Sequence, residues 1–216
     1  MTDTHEIDVQ RGYDQLAEAY AEHIAGELAH KPFDRKMLEW LIEKVGGLGA
    51  ICDMGCGPGH VARYLADHGA QAEGIDLSSG MIEQARRLNP HLTFRQGDMT
   101  ALTAIPDQSY GGIAAAYAIV NIPPDRLPLI FAEFRRILRP GGTALISFHT
   151  GDEVRHITDL WGVPSVLDFY FYKRETIKTL LTGAGLRLDE CIERDPYPEI
   201  ESQTVRTYLF CHRDAE

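Results

Sequence analysis

Within its first sixty residues the chain reads Ile51-Cys52-Asp53-Met54-Gly55-Cys56-Gly57-Pro58-Gly59-His60. A short apolar run ends near Asp53, three glycines alternate after it, and a helix-forming stretch follows over residues 61–67. The pattern predicts a strand, a glycine turn and a helix. Glycine permits backbone angles that other residues avoid, and without a side chain it lets a ligand lie against the main chain at a helix N-terminus. A plain tight turn is the alternative interpretation, because such fingerprints also arise by chance.

The composition limits the classes of protein to which the chain can belong. It has 216 residues, of which 44% are hydrophobic, and a formal net charge of −11. We expect one domain over residues 1–216, acting as a monomer or homodimer. The acidic balance disfavours nucleic acid as a partner, since such binding relies on Lys and Arg neutralising phosphates. Residues 1–10 show no signal-peptide pattern and no apolar run approaches the roughly 18 residues of a membrane helix, so we expect a cytoplasmic protein without membrane contact.

An amphipathic helix is predicted ahead of the glycine turn. Apolar residues from Val9 to Leu28 recur every three or four positions, and Tyr13 and Tyr20 lie among them. The two tyrosines either fill the core or line a ligand site beneath a lid formed by this helix. Tyr20 is also a candidate catalytic residue.

A second helix follows and ends at Gly46-Gly47, a helix-stop signal. Its first turn carries Lys31, Asp34 and Arg35, for which we expect a solvated surface, with Arg35 kept as a candidate for ligand binding. Residues 1–47 are thus predicted to form an N-terminal helical cap.

From residue 50 onward, strand patterns alternate with helix patterns, which is typical of a parallel sheet with helices on both faces. The last two strands are joined without a helix, so we expect them to pair antiparallel at one edge. After the fifth strand, residues 149–172 are predicted to be irregular, and their aromatic residues either pack on the sheet or form a wall of a ligand pocket. The predicted strands cover residues 50–54, 72–77, 92–96, 112–117, 143–148, 186–193 and 204–211.

The acidic residue Asp76 lies at the end of the second strand, nineteen positions beyond Gly57. Ligands of open parallel sheets bind beyond the C-terminal ends of the strands, near the point where strand order reverses. A carboxylate there can accept hydrogen bonds from both hydroxyls of a ribose. NAD and S-adenosylmethionine both contain such a ribose, so this spacing leaves both ligands open.

Three features favour S-adenosylmethionine over NAD. His60 occupies the position at which a dinucleotide fingerprint has its last glycine. Asp53 would repel a pyrophosphate, but it suits a ligand that carries an ammonium and a sulfonium group. The length also leaves little room for the separate catalytic domain of a dehydrogenase. We therefore predict S-adenosylmethionine as the cofactor.

The chain also resembles the class I S-adenosylmethionine-dependent methyltransferases. Four motifs occur in the family's order, at residues 53–59, 74–78, 97–99 and 138–142, and Tyr13-Asp14-x-x-Ala17-x-x-Tyr20 is similar to the N-terminal helix of the small-molecule branch. The resemblance spans about residues 9–211. It implies a Rossmann-like, seven-stranded, mostly parallel sheet of order 3-2-1-4-5-7-6, with strand seven antiparallel. Gly111-Gly112 departs from the family, in which many members have an acidic residue there.

The resemblance further implies roles for single residues. The glycine turn with Asp53 would contact the methionine part of the donor, Asp76 the ribose, Leu77, Met81, Asp98 and Met99 the adenine, and the backbone near Ala116 and Tyr117 the region of the donor methyl. The full set of cofactor-binding candidates is Tyr13, Tyr20, Arg35, Asp53, Gly55, Gly57, Gly59, Asp76, Leu77, Met81, Gly97, Asp98, Met99, Ala116 and Tyr117.

Methyl transfer from a sulfonium mainly requires that the two reactants be aligned and desolvated. A phenol or carboxylate acceptor would gain from a general base. His149, at the end of strand five, is the candidate for that role, unless it only hydrogen-bonds loop backbone. His149, Asp152 and His156 could also be drawn as a metal site, but we expect no metal in a loop of undefined shape.

The sequence therefore predicts an S-adenosylmethionine-dependent methyltransferase that acts by in-line displacement on a small, partly apolar acceptor. Two alternatives remain, a non-enzymatic module that binds S-adenosylmethionine and an NAD(P)-dependent reductase.

Overall fold

In a computed structural model, the backbone is described for residues 4–215 and the side chains for residues 8–215. The outermost parts of the predicted domain (1–216), of the cap (1–47) and of the polar N-terminus (1–10) lie outside the described residues. The helices are α1 (Thr4–Ile24), a short 3-10 helix (Glu27–His30), α2 (Pro32–Val45), α3 (His60–Asp67), α4 (Ser79–Leu88), α5 (Leu127–Ile137) and α6 (Arg174–Gly183). The strands are β1 (Ile51–Met54), β2 (Ala72–Asp76), β3 (Thr93–Gln96), β4 (Tyr110–Ala116), β5 (Leu138–His149), β6 (Val154–Leu160), β7 (Val163–Tyr170), β8 (Arg187–Arg194) and β9 (Arg206–His212).

Seven of these strands form one sheet in the order β3-β2-β1-β4-β5-β9-β8. The first five run parallel, whereas β9 pairs antiparallel with both β5 and β8. Because β8 and β9 are the sixth and seventh strands of this sheet along the chain, the predicted order 3-2-1-4-5-7-6 is confirmed. The order reverses between β1 and β4, so the ends of those strands border the crevice in which such sheets bind ligands.

Helices cover both faces of the sheet, as the continuous apolar runs of β1 and β4 require. On one face, Cys52 of β1 packs in a cluster with Phe131 and Phe134 of α5. On the other face, the adjacent residue Ile51 packs with Leu38 and Leu41 of α2. Successive side chains of a strand point to opposite faces, so one short strand contributes to both cores.

The segment 149–172 is not irregular as predicted but contains a β-hairpin. Strands β6 and β7 pair antiparallel, and Leu160 and Val163 close the hairpin around a two-residue loop. In that loop Trp161 and Gly162 have φ angles of 53° and 80°. Two consecutive left-handed residues are typical of the turn that joins tightly paired strands. The aromatic stretch then ends with Phe171 and Tyr172 buried.

Helix α1 lies over the C-terminal edge of the sheet and is fixed to α4 through Asp14. One oxygen of that carboxylate accepts from the hydroxyl of Ser78 at 2.6 Å and from the backbone N–H of Gly80 at 2.8 Å. A carboxylate is favourable at this place because the first turn of a helix has unpaired N–H groups and a partial positive charge. No helix in the described range is long and apolar enough to span a bilayer.

We predict that Asp14→Ala loosens α1 from α4. The change removes the acceptor of two short hydrogen bonds and should lower the free energy of unfolding by about 1–2 kcal/mol. Urea denaturation measures this loss, and hydrogen exchange should quicken in α1 more than in the central strands. Glu18→Ala, on the exposed side of the same helix, is the control and should change neither quantity.

Candidate active site

A cavity of about 890 Å³ opens beyond the C-terminal ends of β1, β2, β4 and β5. Its roof is formed by α1, by the tip of the β6–β7 hairpin and by the loop that joins β8 to β9. The predicted site residues that line it are Tyr13, Tyr20, Gly55, Gly57, Asp76, Leu77, Met81, Met99, Ala116, Tyr117 and His149. The predicted residues that do not line it are Arg35, Asp53, Gly59, Gly97 and Asp98.

The glycines of the turn serve different purposes. Gly57 has a φ of 50°, and a Cβ atom there would meet only the ring of Tyr20, at 3.7 Å. Its missing side chain therefore leaves open space at the cavity wall. Gly59 has a φ of 79°, and a Cβ atom there would lie 2.6 Å from the ring of Phe94. Gly59 is required for packing beneath the turn rather than for contact with a ligand.

Two carboxylates support this turn from below and from the side. Asp76 lines the cavity and accepts from the backbone N–H groups of Gly57 at 2.8 Å and Ser78 at 2.9 Å. Asp53 was predicted to contact the ligand, but it does not line the cavity. Its side chain is buried, with 1% exposed, and it accepts a hydrogen bond from the N–H of Ala62 at 2.9 Å. Burial raises the pKa of Asp53 to about 7, with a contribution from the charge of Asp76, and it raises the pKa of Asp76 to about 6, with a contribution from the charge of Asp14.

The wall near β2 and β3 carries apolar side chains. Leu77, Met81 and Met99 line the cavity together there. Asp98 instead turns its carboxylate to the backbone N–H and the hydroxyl of Thr100, at 2.8 and 2.7 Å. The side chain of Asp98, which was predicted to contact the adenine, therefore does not line the cavity. Its neighbour Met99 does.

The two tyrosines of α1 line the cavity, in agreement with the lid interpretation. The hydroxyl of Tyr13 donates to Oδ1 of Asn121 at 2.6 Å. The ring centroids of Tyr20 and Trp161 are 5.5 Å apart. Burial raises the pKa of both phenols above the usual value. Tyr20 is therefore protonated near neutral pH and can donate a hydrogen bond, but it cannot serve as a base.

The start of α2 differs from the expected solvated surface. Lys31 and Asp34 are each only 7% exposed, and both line the cavity. Arg35 points away from it, since its Nη1 donates to the carbonyl oxygens of Leu28 and Ala29. The predicted role of Arg35 in ligand binding is therefore wrong in this structure. Lys31, which the sequence interpretation left to solvent, takes the place beside the cavity.

A buried ionic network, absent from the sequence interpretation, joins α2 to the β8–β9 loop. Arg194 contacts a carboxylate oxygen of Asp34 at 2.8 Å and one of Glu201 at 2.5 Å. The hydroxyl of Tyr208 donates to Asp34 at 2.9 Å. One signal was present in the sequence, because Asp34 lies four residues before Leu38 and so falls on the apolar stripe of α2.

At one end of the cavity, Glu27 and two basic groups lie together. Its carboxylate is 2.6 Å from Nζ of Lys31 and 3.2 Å from Nε2 of His60. Although burial acts in the opposite direction, these two partners lower the pKa of Glu27 to about 2. All three residues line the cavity beside Gly57, so this end offers both signs of charge to a ligand.

His149 lies at the other side of the cavity, between aromatic rings. Its ring centroid is 5.2 Å from that of Tyr117 and 5.3 Å from that of Phe171. Burial and nearby cations lower its pKa to about 4, so the imidazole is uncharged at neutral pH. The structure does not gather a metal site around it, since Asp152 pairs with Lys173 and His156 with Asp168. In the range 8–215, no group of three His, Cys, Asp or Glu side chains could hold a metal ion.

Comparison with known proteins finds a similar family for the central part of the chain. Residues 51–142 match the family model described as methyltransferase domain. The match begins at β1, includes the glycine turn and the acidic end of β2, and runs into β5.

Curated relatives are similar to part of this chain. An S-adenosyl-L-methionine-dependent Diels-Alderase of Talaromyces variabilis is 34% identical over 50% of this chain and 38% of its own. A malonyl-[acyl-carrier protein] O-methyltransferase of Enterobacter lignolyticus is 26% identical over 71% of this chain and 62% of its own. The chain thus spans about half the length of the curated relatives it matches.

Solved structures extend the likeness over the whole chain. The DhpI–SAH complex superposes with a TM-score of 0.74, covers 100% of both chains and is 20% identical. At this identity the similarity establishes the fold alone.

We predict that the stability of the folded chain falls between pH 5 and pH 8, partly through Asp53. Because the pKa of Asp53 is about 7 in the folded chain and its ordinary value is 3.8, the folded chain holds a proton that the unfolded chain has lost. The resulting stabilisation is complete below about pH 4 and disappears as the pH rises through 7. Asp53→Asn keeps an oxygen that can accept from Ala62 but removes the titrating group. In this variant the decrease in the free energy of unfolding between pH 5 and pH 8, measured by urea denaturation, should be about 1–3 kcal/mol smaller.

Asp67→Asn is the matched control, because it removes an exposed carboxylate at the end of α3. It should leave the pH dependence as in the unmodified chain. A fall of equal size in Asp53→Asn and the unmodified chain would contradict the assigned role of burial at Asp53.

We further predict different costs for alanine at two glycines of the turn. Gly59→Ala places a Cβ atom against Phe94 and strains the backbone, so the free energy of unfolding should drop by about 2–4 kcal/mol. Gly57→Ala meets open space and should cost about 1–2 kcal/mol, from backbone strain alone. Urea denaturation followed by circular dichroism compares the two variants, and equal losses would refute the packing role of Gly59.

Proposed function

We propose that the protein transfers a methyl group from S-adenosylmethionine to a small, partly apolar acceptor. The observation that carries this proposal is the bare turn at Gly57, which borders the cavity with Asp76 beside it. Both oxygens of Asp76 already accept a backbone N–H, but each retains a lone pair with which to accept a ribose hydroxyl. When bound, the donor supplies an electrophilic methyl group on a positively charged sulfur.

The two ends of the donor would meet different walls. Leu77, Met81 and Met99 provide an apolar surface for the adenine ring. The amino-acid end carries both an ammonium and a carboxylate, which suits the pair of Glu27 and Lys31. Lys31, and not the candidate Arg35, lines the cavity at this end. A pyrophosphate would be disfavoured beside Asp76 and Glu27, which supports S-adenosylmethionine over a dinucleotide.

The acceptor would bind in the part of the cavity that we call the acceptor end, lined by Met37, Leu38, Tyr117, Leu145, His149 and Arg206. Apolar side chains and rings prevail there, in keeping with a partly apolar molecule. The tyrosines of α1 and Trp161 close the cavity over the reactants, which excludes water and aligns them. Such positioning can contribute about 7–11 kcal/mol to lowering a barrier.

A non-enzymatic module that binds the donor is the second candidate. A relative named as an S-adenosyl-L-methionine-dependent Diels-Alderase supports only the part of this candidate in which the donor is bound without methyl transfer, because that relative is itself named as an enzyme. The size of the cavity favours an enzyme, since about 890 Å³ exceeds what the donor alone would need. Release of S-adenosylhomocysteine in the presence of an acceptor separates the two. We also propose that cap, sheet and hairpin act as one domain, because α1 contacts both α4 and β7.

We predict saturable binding of S-adenosylmethionine and S-adenosylhomocysteine, and none of NADH, in calorimetric titrations. Asp76→Ala should weaken the binding of S-adenosylhomocysteine by about 1–3 kcal/mol, because it removes acceptors for the ribose and frees the turn. Glu83→Ala, which removes an exposed carboxylate from nearby α4, should bind as the unmodified chain does. Saturable NADH binding without any response to S-adenosylhomocysteine would overturn the proposed function.

A further inference from the structure

A buried arginine lies beside His149 at the acceptor end. Arg206 faces His149 as its cross-strand neighbour between β9 and β5, and it is 2% exposed. Its Nη1 donates to the carbonyl oxygen of Ser202 at 2.8 Å and to Oγ1 of Thr204 at 3.1 Å. Its Nε lies 3.1 Å from a carboxylate oxygen of Glu201 but has no hydrogen-bond partner among the described residues. Arg206 therefore places a positive charge, with donor capacity left, at the cavity wall.

Thr204 contacts Nδ1 of His149. Its Oγ1 accepts from Arg206 and has one proton to donate. That proton can go to Nδ1 of His149 at 2.8 Å or to the carbonyl oxygen of Ser202 at 3.5 Å. The longer contact is at the limit of a hydrogen bond, and Arg206 already donates to that carbonyl. The shorter contact therefore favours donation to Nδ1, which leaves the hydrogen of the neutral ring on Nε2.

Burial and three nearby cations keep His149 neutral. Arg206 on β9, Lys31 at the start of α2 and Arg155 on β6 all lower the pKa of His149, and Glu201 acts in the opposite direction. Each cation is also paired with a carboxylate, Arg206 with Glu201, Lys31 with Glu27 and Arg155 with Glu153. A neutral imidazole of low pKa is a weak base and is poorly suited to remove a proton, but its N–H can donate a hydrogen bond to an anionic oxygen.

We propose that the acceptor is a small oxygen acid, a carboxylate or phosphonate with an apolar body, whose anionic oxygen accepts a hydrogen bond from Nε2–H of His149. This inference rests on the proposed function, since it names the acceptor of the same site. The guanidinium of Arg206, on the strand beside His149, places a positive charge near that oxygen. Met37, Leu38 and Leu145 line the adjoining wall and would receive the apolar body.

No general base is then needed. A carboxylic acid has already lost its proton at neutral pH. A lone pair of the anionic oxygen forms the new O–CH₃ bond, while the S–CH₃ bond breaks and its electron pair remains on sulfur. One positive and one negative charge disappear, a thioether and a methyl ester are formed, and no proton moves. The expectation that a carboxylate acceptor gains from a base is therefore replaced, and His149 binds the substrate instead of deprotonating it.

The hydrogen position can be measured without any reaction. The protein is labelled with ¹⁵N-histidine and bound to S-adenosylhomocysteine, and long-range ¹H–¹⁵N correlation spectra then report which nitrogens of each imidazole are protonated. The signals of His149 are identified as those missing from the spectrum of His149→Gln. At pH 7 we expect a neutral ring protonated at Nε2. In Thr204→Val the ring should shift toward a mixture of the two neutral forms. A ring protonated at Nδ1, or a charged ring, would overturn the proposal.

Binding of simple probes tests the acceptor class. In the presence of S-adenosylhomocysteine, phenylacetate and phenylphosphonate are titrated against the neutral phenylacetamide. At least one anion should bind ten-fold tighter than the amide, and the tighter of the two distinguishes carboxylate from phosphonate. Arg206→Met should abolish the tighter binding of the anion relative to the amide. Arg206→Lys keeps the positive charge and should retain part of that difference, which controls for a folding defect in Arg206→Met. Equal affinities, or no binding by either anion, would overturn the proposal.

Turnover of the better anion separates binding from base catalysis. His149→Phe should lower kcat/KM for methyl-ester formation by about 10- to 100-fold, as expected for a lost hydrogen bond to a charged group. His149→Gln offers an amide N–H near the position of Nε2 and should recover most of that loss, whereas loss of a base would affect both variants equally. Equal losses, or methylation of phenols and amines but not of acids, would refute the oxygen-acid proposal while leaving methyl transfer intact. Absence of S-adenosylhomocysteine binding would instead refute the proposed function.

Discussion

The site depends on the two hydrogen bonds that Asp76 accepts from Gly57 and Ser78. Gly57 belongs to the turn after β1, and Ser78 caps α4 after β2, so one carboxylate fixes two neighbouring loops at the same edge of the sheet. A buried carboxylate without partners would be costly, and both oxygens are therefore engaged. The result is a bend of bare main chain that is held by hydrogen bonds within the chain itself.

The cover of the cavity depends on polar contacts between elements that are distant in sequence. Asp14 attaches α1 to the N-terminus of α4, and Tyr13 attaches it to Asn121 beyond β4. On the opposite side, Arg194 links Asp34 of α2 to Glu201 of the β8–β9 loop. Removing one partner of such a buried pair leaves an uncompensated charge, so these contacts restrict the loop and the lid to one arrangement. The acceptor end inherits its shape from that arrangement.

Prediction succeeded where the pattern was local. The glycine turn, the capping of α4 by Ser78 and the antiparallel last strand all follow from short-range chemistry, and the seven-stranded order followed from the family resemblance. The hairpin over residues 154–170 was missed because β6 is mostly exposed and neither strand carries a regular apolar alternation. The local signal for the turn was the glycine of Trp161-Gly162. Both residues have a positive φ in the structure, as a two-residue hairpin loop requires.

The sequence by itself determined the parallel sheet, the bare turn and the acidic residue beside it, because periodicity and backbone preference act between near neighbours. Only the tertiary structure decided which charged residues face the cavity. Asp34 and Arg194 are 160 positions apart and Tyr13 and Asn121 are 108 apart, and a surface helix can bear the same Lys31, Asp34 and Arg35 as a buried one. Whether such a side chain is solvated or paired depends on the partner that folding brings to it, and that partner leaves no mark on the local pattern.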